Sequence, residues 1–164
     1  MKIGILGSGY IATKIAEAIR VLDEKGYGVK AYAIASRSIE KAKQFASDFH
    51  FEKAYGSYEE LAQDKEVDLI YVATPHSEHY SNIKLCLKYG KNLLVEKAFT
   101  ANLLQASEVI TSAREKGVFL CEAMWTRFLP GVQCLKEWLV SGKIGKIQTV
   151  EANFSIPISH IERL

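Results

Sequence analysis

The stretch Ile3–Ala12, IGILGSGYIA, decides the fold of this chain. A short apolar run ends at Gly7, and apolar residues then recur three and four positions apart over residues 10–25, which predicts a buried strand, a tight turn and an amphipathic helix. Gly7 permits the turn, Gly9 lets the backbone approach a pyrophosphate, and Ala12 leaves room for the helix to pack on the strand. A plain turn that needs glycine for geometry alone is the alternative, but this context favours a dinucleotide-binding motif.

The same alternation continues along the chain. Short, almost continuously apolar runs are separated by amphipathic segments, which is typical of parallel strands covered by helices on both faces. The predicted strands are residues 3–6, 29–35, 53–55, 69–73, 92–95 and 118–123, and the predicted helices are residues 10–25, 42–49, 57–63, 78–89, 103–116 and 132–139. The predicted fold is therefore α/β, a Rossmann-type doubly wound parallel sheet. After about residue 145 the alternation stops, and Ile147–Phe154 is predicted to be a strand that begins a truncated second α/β domain.

Composition narrows the range of possible functions. The 164 residues are 48% hydrophobic and 24% charged, with a net charge of +2 from 21 basic and 19 acidic residues. We therefore expect a folded chain with no nucleic-acid or membrane partner, since no run approaches the roughly 18 apolar residues of a membrane span. The three cysteines, Cys86, Cys121 and Cys134, are too few and too widely spaced for a disulfide framework or a zinc site. They predict reduced thiols in a cytoplasmic protein that binds no metal.

The second predicted strand ends in a pair of residues that bears on cofactor choice. An acidic residue is usual there when NAD is bound, whereas this chain has Ser36 and Arg37. Arg37 would bind a ribose 2′-phosphate in bidentate fashion, Ser36 would donate to it, and Lys41 would add charge one helical turn later. We predict NADP in preference to NAD, the alternative being an exposed arginine at a helix start.

Two further groups follow predicted strands at the edge where open α/β sheets bind ligands. After the fourth strand come Thr74, Pro75, His76 and His79. We expect His79 to cap a helix or to contact the cofactor, and a solvent-facing His76 is as plausible as a functional one. No cysteine or carboxylate cluster accompanies the two histidines, so they do not predict a metal site.

Glu96 and Lys97 follow the fifth predicted strand. A lysine held at the ligand edge can hydrogen-bond a substrate hydroxyl or take part in proton transfer, and the alternative is a surface ion pair. After the sixth strand, Trp125 and Arg127 could wall a cofactor pocket or serve the packing of the next helix.

Together these motifs resemble the glucose–fructose oxidoreductase (Gfo/Idh/MocA) family, and within it the branch of dihydrodiol and NADP-dependent D-xylose dehydrogenases. The matching positions are Gly7, Gly9, Ala12, Ser36-Arg37, residues 54–61, Thr74-Pro75, His79, Glu96-Lys97, residues 125–128 and Pro130. The resemblance implies an NAD(P)-binding Rossmann domain over residues 1–123, with residues 124–164 forming a connecting helix and the first strand of a substrate domain. It implies NAD(P)-dependent oxidation of a CH–OH group in a sugar or diol, and a homo-oligomer at full length. The cofactor site would comprise Gly7, Ser8, Gly9, Tyr10, Ile11, Ser36, Arg37, Lys41, Thr74, Pro75, His76, His79, Glu96, Lys97, Trp125 and Arg127, with Lys97 also the catalytic lysine of the family's Glu-Lys-Pro motif.

Two departures from the family pattern limit this interpretation. Ala98 stands where the family has proline, and because a cis bond before a non-proline residue costs about 3–4 kcal/mol, we predict a trans Lys97–Ala98 bond. Family members are also about twice as long, so we expect a part of a longer enzyme or a short member without turnover. The alternative function is a non-catalytic, nucleotide-binding or regulatory Rossmann module. A methyltransferase-type domain usually has an acidic residue at the end of the second strand. Ser36 and Arg37 at that position argue against this third interpretation.

Overall fold

The computed structural model describes residues 1–155. Residues Met1–Met124 form one compact unit, and a second unit begins at Trp125. Among the helices of residues 1–155, none combines the length and apolarity that a membrane crossing requires.

A single parallel sheet organises the first unit. Its strands are β1 (Lys2–Leu6), β2 (Lys30–Ala35), β3 (Lys53–Tyr55), β4 (Leu69–Val72), β5 (Asn92–Val95) and β6 (Leu120–Glu122). They lie in the order β3-β2-β1-β4-β5-β6, and every neighbouring pair is parallel. The order reverses at β1, whose neighbours are β2 and β4, so this is the doubly wound arrangement that the sequence predicts.

Helices connect the strands. They are α1 (Tyr10–Glu24), α2 (Ile39–Phe49), α3 (Tyr58–Gln63), α4 (His79–Lys88) and α5 (Leu103–Glu115), with a short 3₁₀ turn at His76–Glu78 before α4. A capping box starts α3, where the Ser57 side chain accepts from the Glu60 backbone and the Glu60 carboxylate accepts from the backbone of Ser57. Such reciprocal bonds satisfy two amide donors that a helix start leaves unpaired.

The core lies on both faces of the sheet because successive side chains of a strand point to opposite sides. Within β1, Leu6 faces a cluster that includes Ile70, Val72, Leu93 and Val95, whereas Ile5 faces a second cluster formed with Ile34, Phe45 and Tyr71. Burial on both faces explains why the strands are continuously apolar in sequence, as predicted.

The second unit contains a 3₁₀ turn (Trp125–Phe128) and α6 (Pro130–Val140), which has proline in its first turn. The prediction of a strand at Ile147–Phe154 is wrong, because residues 146–155 form no helix or strand. Their β-forming composition meets no neighbouring strand within the described residues, and an unpaired strand leaves its backbone donors and acceptors unsatisfied. The last part of the predicted second domain, residues 156–164, lies outside the described residues.

Among the non-glycine residues of positions 1–155, one adopts a conformation that favours glycine. His50 ends α2 with φ 59° and ψ 41°, in the left-handed region, and its backbone N–H donates to the carbonyl of Ala46. A β-carbon is unfavourable there, so His50→Gly should raise the free energy of unfolding by about 0.5–1 kcal/mol. Urea unfolding of the 164-residue chain measures the change.

The matched control is Lys25→Gly. Lys25 also ends a helix, α1, but with φ −81° and ψ 0°, a right-handed conformation that favours no glycine. This substitution should leave stability unchanged or lower it. Equal effects of the two substitutions would contradict the assignment of strain to His50.

Candidate functional site

The turn after β1 passes close to the neighbouring strands. Gly7 donates its N–H to the carbonyl of Ala35, at 2.9 Å, and has φ +98°. A β-carbon at Gly7 would stand 2.9 Å from the carbonyl oxygen of Ala73, next to the end of β4. The chain can take this path only with glycine, so Gly7 brings the turn against β2 and β4 together.

Gly9 occupies a different environment at the start of α1. It is the N-cap residue, no side chain caps the helix there, and the first turn carries no acidic residue. A β-carbon built on Gly9 would meet nothing within 4 Å among the described residues. Tyr10 and Ile11 are exposed next to it. The open space and the free N–H groups of the first helical turn fit a pyrophosphate, which helix N-termini attract through their N–H groups and dipole.

Beside this turn lies the end of β2. Ser36 is buried, and the Ser8 hydroxyl donates to the Ser36 hydroxyl at 3.2 Å. Arg37 and Lys41 are exposed. The backbone N–H of Lys41 donates to the side chain of Ser38, which caps α2. The structure therefore joins the glycine turn to the end of β2 through a pair of hydroxyls, and two exposed cations follow Ser36 along the chain.

Tyr58, within the matching stretch 54–61, is a neighbour of Arg37 that was not among the predicted site residues. Burial raises the pKa of its hydroxyl, while the charge of Arg37 lowers the pKa and that of Glu78 raises it. The charges of Arg37 and Glu78 thus both act on the Tyr58 hydroxyl.

The loop after β4 is held by α4 through His79. This side chain is completely buried, with Nε2 2.9 Å from the Thr74 carbonyl oxygen and Nδ1 2.8 Å from the Ala98 carbonyl oxygen. A carbonyl oxygen only accepts, so the ring donates to one or the other, or to both as the imidazolium. One turn later, the Asn82 amide donates to the Thr74 hydroxyl at 3.0 Å. The first turns of α4 thereby fasten the loops that follow β4 and β5.

The other two predicted site residues of this loop lie at the surface. Pro75 and His76 are exposed, and the ring centroids of His76 and His79 are 5.5 Å apart in an edge-on arrangement. Within residues 1–155, no group of three histidine, cysteine, aspartate or glutamate side chains could hold a metal ion. Cys86 is buried in the core, where burial raises the pKa of its thiol to about 12.

Glu96 and Lys97 follow β5 at the same edge. The Glu96 backbone N–H donates to the Val72 carbonyl at 3.0 Å, which continues the β4–β5 ladder. The Glu96 carboxylate accepts the hydroxyl of Tyr71 on Oε1 and the backbone N–H of Lys97 on Oε2, at 3.1 Å. Lys97 is exposed, and its amine takes part in no ion pair within residues 1–155. The surface ion pair considered for Lys97 is thus not formed there.

Contacts on three consecutive residues hold the loop that carries Lys97. Glu96 accepts from the N–H of Lys97, His79 contacts the carbonyl of Ala98, and the Glu122 carboxylate accepts from the N–H of Phe99 at 3.0 Å. The prediction of a trans Lys97–Ala98 bond is wrong, since this bond is cis. The prediction considered the two residues alone, whereas side chains from α4 and β6 hold the loop on either side of the bond.

Trp125 and Arg127 belong to the second unit, in the 3₁₀ turn before α6. Both are exposed, and the Arg127 carbonyl accepts from the Gln133 side chain. Their participation in the site stays a prediction.

Three residues that hold the site were not among the predicted ones: Tyr71, Asn82 and Glu122. The signal for Tyr71 was available, because a tyrosine within a buried strand needs a partner for its hydroxyl. Glu122 ends β6, just as Glu96 follows β5, so its position at a strand end was a comparable signal. Asn82 stands one turn after His79 on α4, a spacing that places both side chains on one helix face.

A turn of this kind at the reversal of strand order defines a nucleotide-binding Rossmann domain. The chain belongs to the oxidoreductase family with an NAD-binding Rossmann fold (GFO_IDH_MocA), whose model matches residues 1–123. The chain is 41% identical to trans-1,2-dihydrobenzene-1,2-diol dehydrogenase of Mus musculus over 160 residues. The matched region makes up 98% of this chain and 47% of that protein. The chain therefore spans about half the length of the relatives it matches.

Solved structures of oxidoreductases share the fold. An NAD binding oxidoreductase from Klebsiella pneumoniae superposes with a TM-score of 0.83 at 30% identity, over 88% of this chain and 40% of that one. KijD10, a 3-ketoreductase from Actinomadura kijaniata crystallised with NADP, superposes with a TM-score of 0.78 at 29% identity, over 89% and 45% of the two chains.

The two glycines of the turn should respond differently to the same substitution. Gly9→Ala adds a methyl group in open space and should leave the fold intact, yet weaken NADPH binding roughly tenfold or more by obstructing the phosphates, on the scale of one charge-assisted hydrogen bond. Gly7→Ala should instead lower the free energy of unfolding, because Gly7 has φ +98° and a β-carbon there would stand 2.9 Å from the Ala73 carbonyl oxygen. Urea unfolding and NADPH fluorescence titration separate the effects. Unchanged NADPH binding by Gly9→Ala would contradict the pyrophosphate assignment.

Proposed function

We propose that this chain is the cofactor-binding part of an NADP-preferring oxidoreductase that acts on a CH–OH group of a sugar or a diol. One observation carries the proposal: the loops after β1, β4 and β5 share one sheet edge, with an open helix N-terminus on one side and an exposed lysine on the other. Gly9 provides the open N-terminus and Lys97 the lysine.

The pyrophosphate would lie on the turn formed by Gly7, Ser8 and Gly9. The N–H groups of Tyr10 and Ile11 stand at the free end of α1, and a negative group is favoured there. Because β1 lies between β2 and β4, the two nucleosides would extend in opposite directions, one toward β2 and the other toward β4 and β5.

The adenosine ribose would lie toward β2. Arg37 and Lys41 supply positive charge there, and Ser36 supplies a hydroxyl whose partner is Ser8. A guanidinium binds a 2′-phosphate in bidentate fashion, whereas a carboxylate, which favours NAD, is missing from the end of β2. The NADP in the crystal structure of the Actinomadura ketoreductase supports the same preference.

The nicotinamide would lie toward β4 and β5, where it accepts or delivers a hydride when bound. The loop from Glu96 to Phe99 is held at three consecutive residues, so the stem of Lys97 starts from a fixed backbone. Its amine, exposed at this edge, would hydrogen-bond the substrate oxygen and exchange a proton with it. Thr74, Pro75 and His79 would form the floor on the β4 side, and His76 the rim.

The substrate class follows from the relatives. Two relatives, a diol dehydrogenase from mouse and a 3-ketoreductase from Actinomadura, are named for a diol and a ketone as substrates. A lysine that exchanges a proton with the substrate oxygen can assist both the oxidation of a hydroxyl and the reduction of a ketone.

NADP selectivity is tested at Arg37. Removal of its charge-assisted contact in Arg37→Ala should weaken NADPH binding by about 1.5–3 kcal/mol and leave NADH binding almost unchanged. Fluorescence titration of both nucleotides measures this, with Arg114→Ala, an exposed arginine of α5, as the charge-matched control. Tighter or equal binding of NADH by the unmodified chain would contradict the proposed preference.

The role of Lys97 is tested by turnover. Lys97→Met should lower kcat roughly 100-fold or more, the range of general acid–base catalysis. It should change NADPH affinity only slightly, because the Lys97 backbone, which would border the nicotinamide, keeps its contact to Glu96. Because the chain spans about half of its relatives, turnover with NADP and a sugar or dihydrodiol is measured in the 164-residue chain and in a hybrid carrying the remaining C-terminal part of the mouse relative.

The matched control for this experiment is Lys116→Met, an exposed lysine at the end of α5. It should leave kcat unchanged. NADPH binding without turnover in either protein would favour the alternative function, a nucleotide-binding module without catalysis. Full turnover of the hybrid with Lys97→Met would contradict the catalytic assignment of this lysine.

A further inference from the structure

Tyr71 is buried in the sheet directly beneath the candidate site. It is the third residue of β4, 4% exposed, and it belongs to the core cluster on the α1 face. In the register of the sheet Tyr71 pairs with Leu94 of β5. Glu96 comes two residues after Leu94, so its side chain leaves the sheet on the same face as Tyr71.

The hydroxyl of Tyr71 has one partner among the described residues, Oε1 of Glu96. Burial, and then the hydrogen bond to the carboxylate, raise the pKa of this hydroxyl above its usual value. The hydroxyl therefore stays a donor throughout the neutral range. A hydrogen bond to an ionised acceptor is stronger than one between neutral groups.

Within the described part of the chain, Glu96 has no cationic partner to orient it. The ion pairs formed within residues 1–155 do not include Glu96. The Tyr71 hydroxyl on Oε1 and the Lys97 backbone N–H on Oε2 are the contacts that fix the direction of this half-buried carboxylate. Loss of the first contact would free the carboxylate to rotate and so release the second.

We propose that Tyr71 is a positioning residue, whose buried hydroxyl orients the Glu96 carboxylate so that it holds the backbone of Lys97 at the nicotinamide side of the cofactor site. This inference rests on the proposed function, since it needs a nucleotide at that edge. It differs from a packing role for Tyr71, because its effect passes through Glu96 and concerns only the nicotinamide half of the ligand.

The experiment compares two ligands on the 164-residue chain: NADPH, and ADP-ribose 2′-phosphate, which lacks the nicotinamide. Tyr71→Phe should weaken NADPH binding roughly 5- to 30-fold, on the scale of a hydrogen bond to a charged group. It should leave the affinity for ADP-ribose 2′-phosphate within about twofold, since the pyrophosphate would lie on the turn after β1 and the 2′-phosphate at Arg37 after β2, whereas Tyr71 and Glu96 act at β4 and β5. Tyr32→Phe is the matched control, because Tyr32 is an equally buried tyrosine in β2, and it should change neither affinity.

A second background separates positioning from packing. In Glu96→Ala, which itself should lose NADPH affinity and keep that for ADP-ribose 2′-phosphate, adding Tyr71→Phe should cause no further loss. A core defect would instead lower the affinity by the same factor in both backgrounds. Glu96→Ala alone also tests the inference should Tyr71→Phe fail to fold, because the Glu96 side chain is only partly buried.

The outcomes are distinguishable. Failure of the unmodified chain to bind either ligand would overturn the proposed function, and this inference with it. Normal binding by the unmodified chain would leave the proposed function standing. The inference alone would then be overturned by wild-type NADPH affinity in Tyr71→Phe or Glu96→Ala, by equal losses for both ligands, or by additive losses in the double variant.

Discussion

The close approach of Gly7 to the end of β4 is the constraint on which the rest of the site depends. The turn donates to β2 through its N–H and leaves no room for a side chain against the Ala73 carbonyl. Because the turn is fixed between two strands, α1 must start at Gly9, with its free N–H groups at the shared edge of the sheet. A wider turn would move that helix end away from the loops after β4 and β5.

The two sides of the site are built by different physical means. Toward β2 the groups are exposed and charged, as with Arg37 and Lys41, and water screens them until a ligand excludes it. Toward β4 and β5 the groups that hold the loops are buried and hydrogen-bonded, as with His79 and Tyr71. Exposed cations can attract a phosphate without being rigid, whereas the transfer of a hydride needs orientation, which buried hydrogen bonds supply.

Patterns of hydrophobicity were enough to predict the sheet and its connecting helices, because burial on both faces leaves a continuous apolar run in each strand. They were not enough for Ile147–Phe154, where β-forming residues require a neighbouring strand that residues 1–155 do not offer. Site residues at strand ends, such as Glu96 and Lys97, could be predicted from position. The contacts that hold them could not, since Tyr71, His79 and Glu122 are brought together by strand order and register rather than by spacing in sequence. The prediction of a trans Lys97–Ala98 bond was wrong for the same reason, since the side chains around this bond come from other elements.

The arrangement around Lys97 explains why a flexible side chain can serve at a site that needs accuracy. A lysine has four rotatable bonds, and ordering it fully would cost about 1.5–2 kcal/mol in lost rotamer freedom. Here the restraint is placed on the backbone, at the N–H of Lys97, the carbonyl of Ala98 and the N–H of Phe99. The amine keeps its freedom until a ligand reaches the edge, while the volume it can search is set by Glu96, His79 and Glu122. Each of these three side chains stands on a different element, at the end of β5, the start of α4 and the end of β6. The position of the lysine therefore depends on the packing of the whole β4–β5–β6 half of the sheet rather than on its own loop.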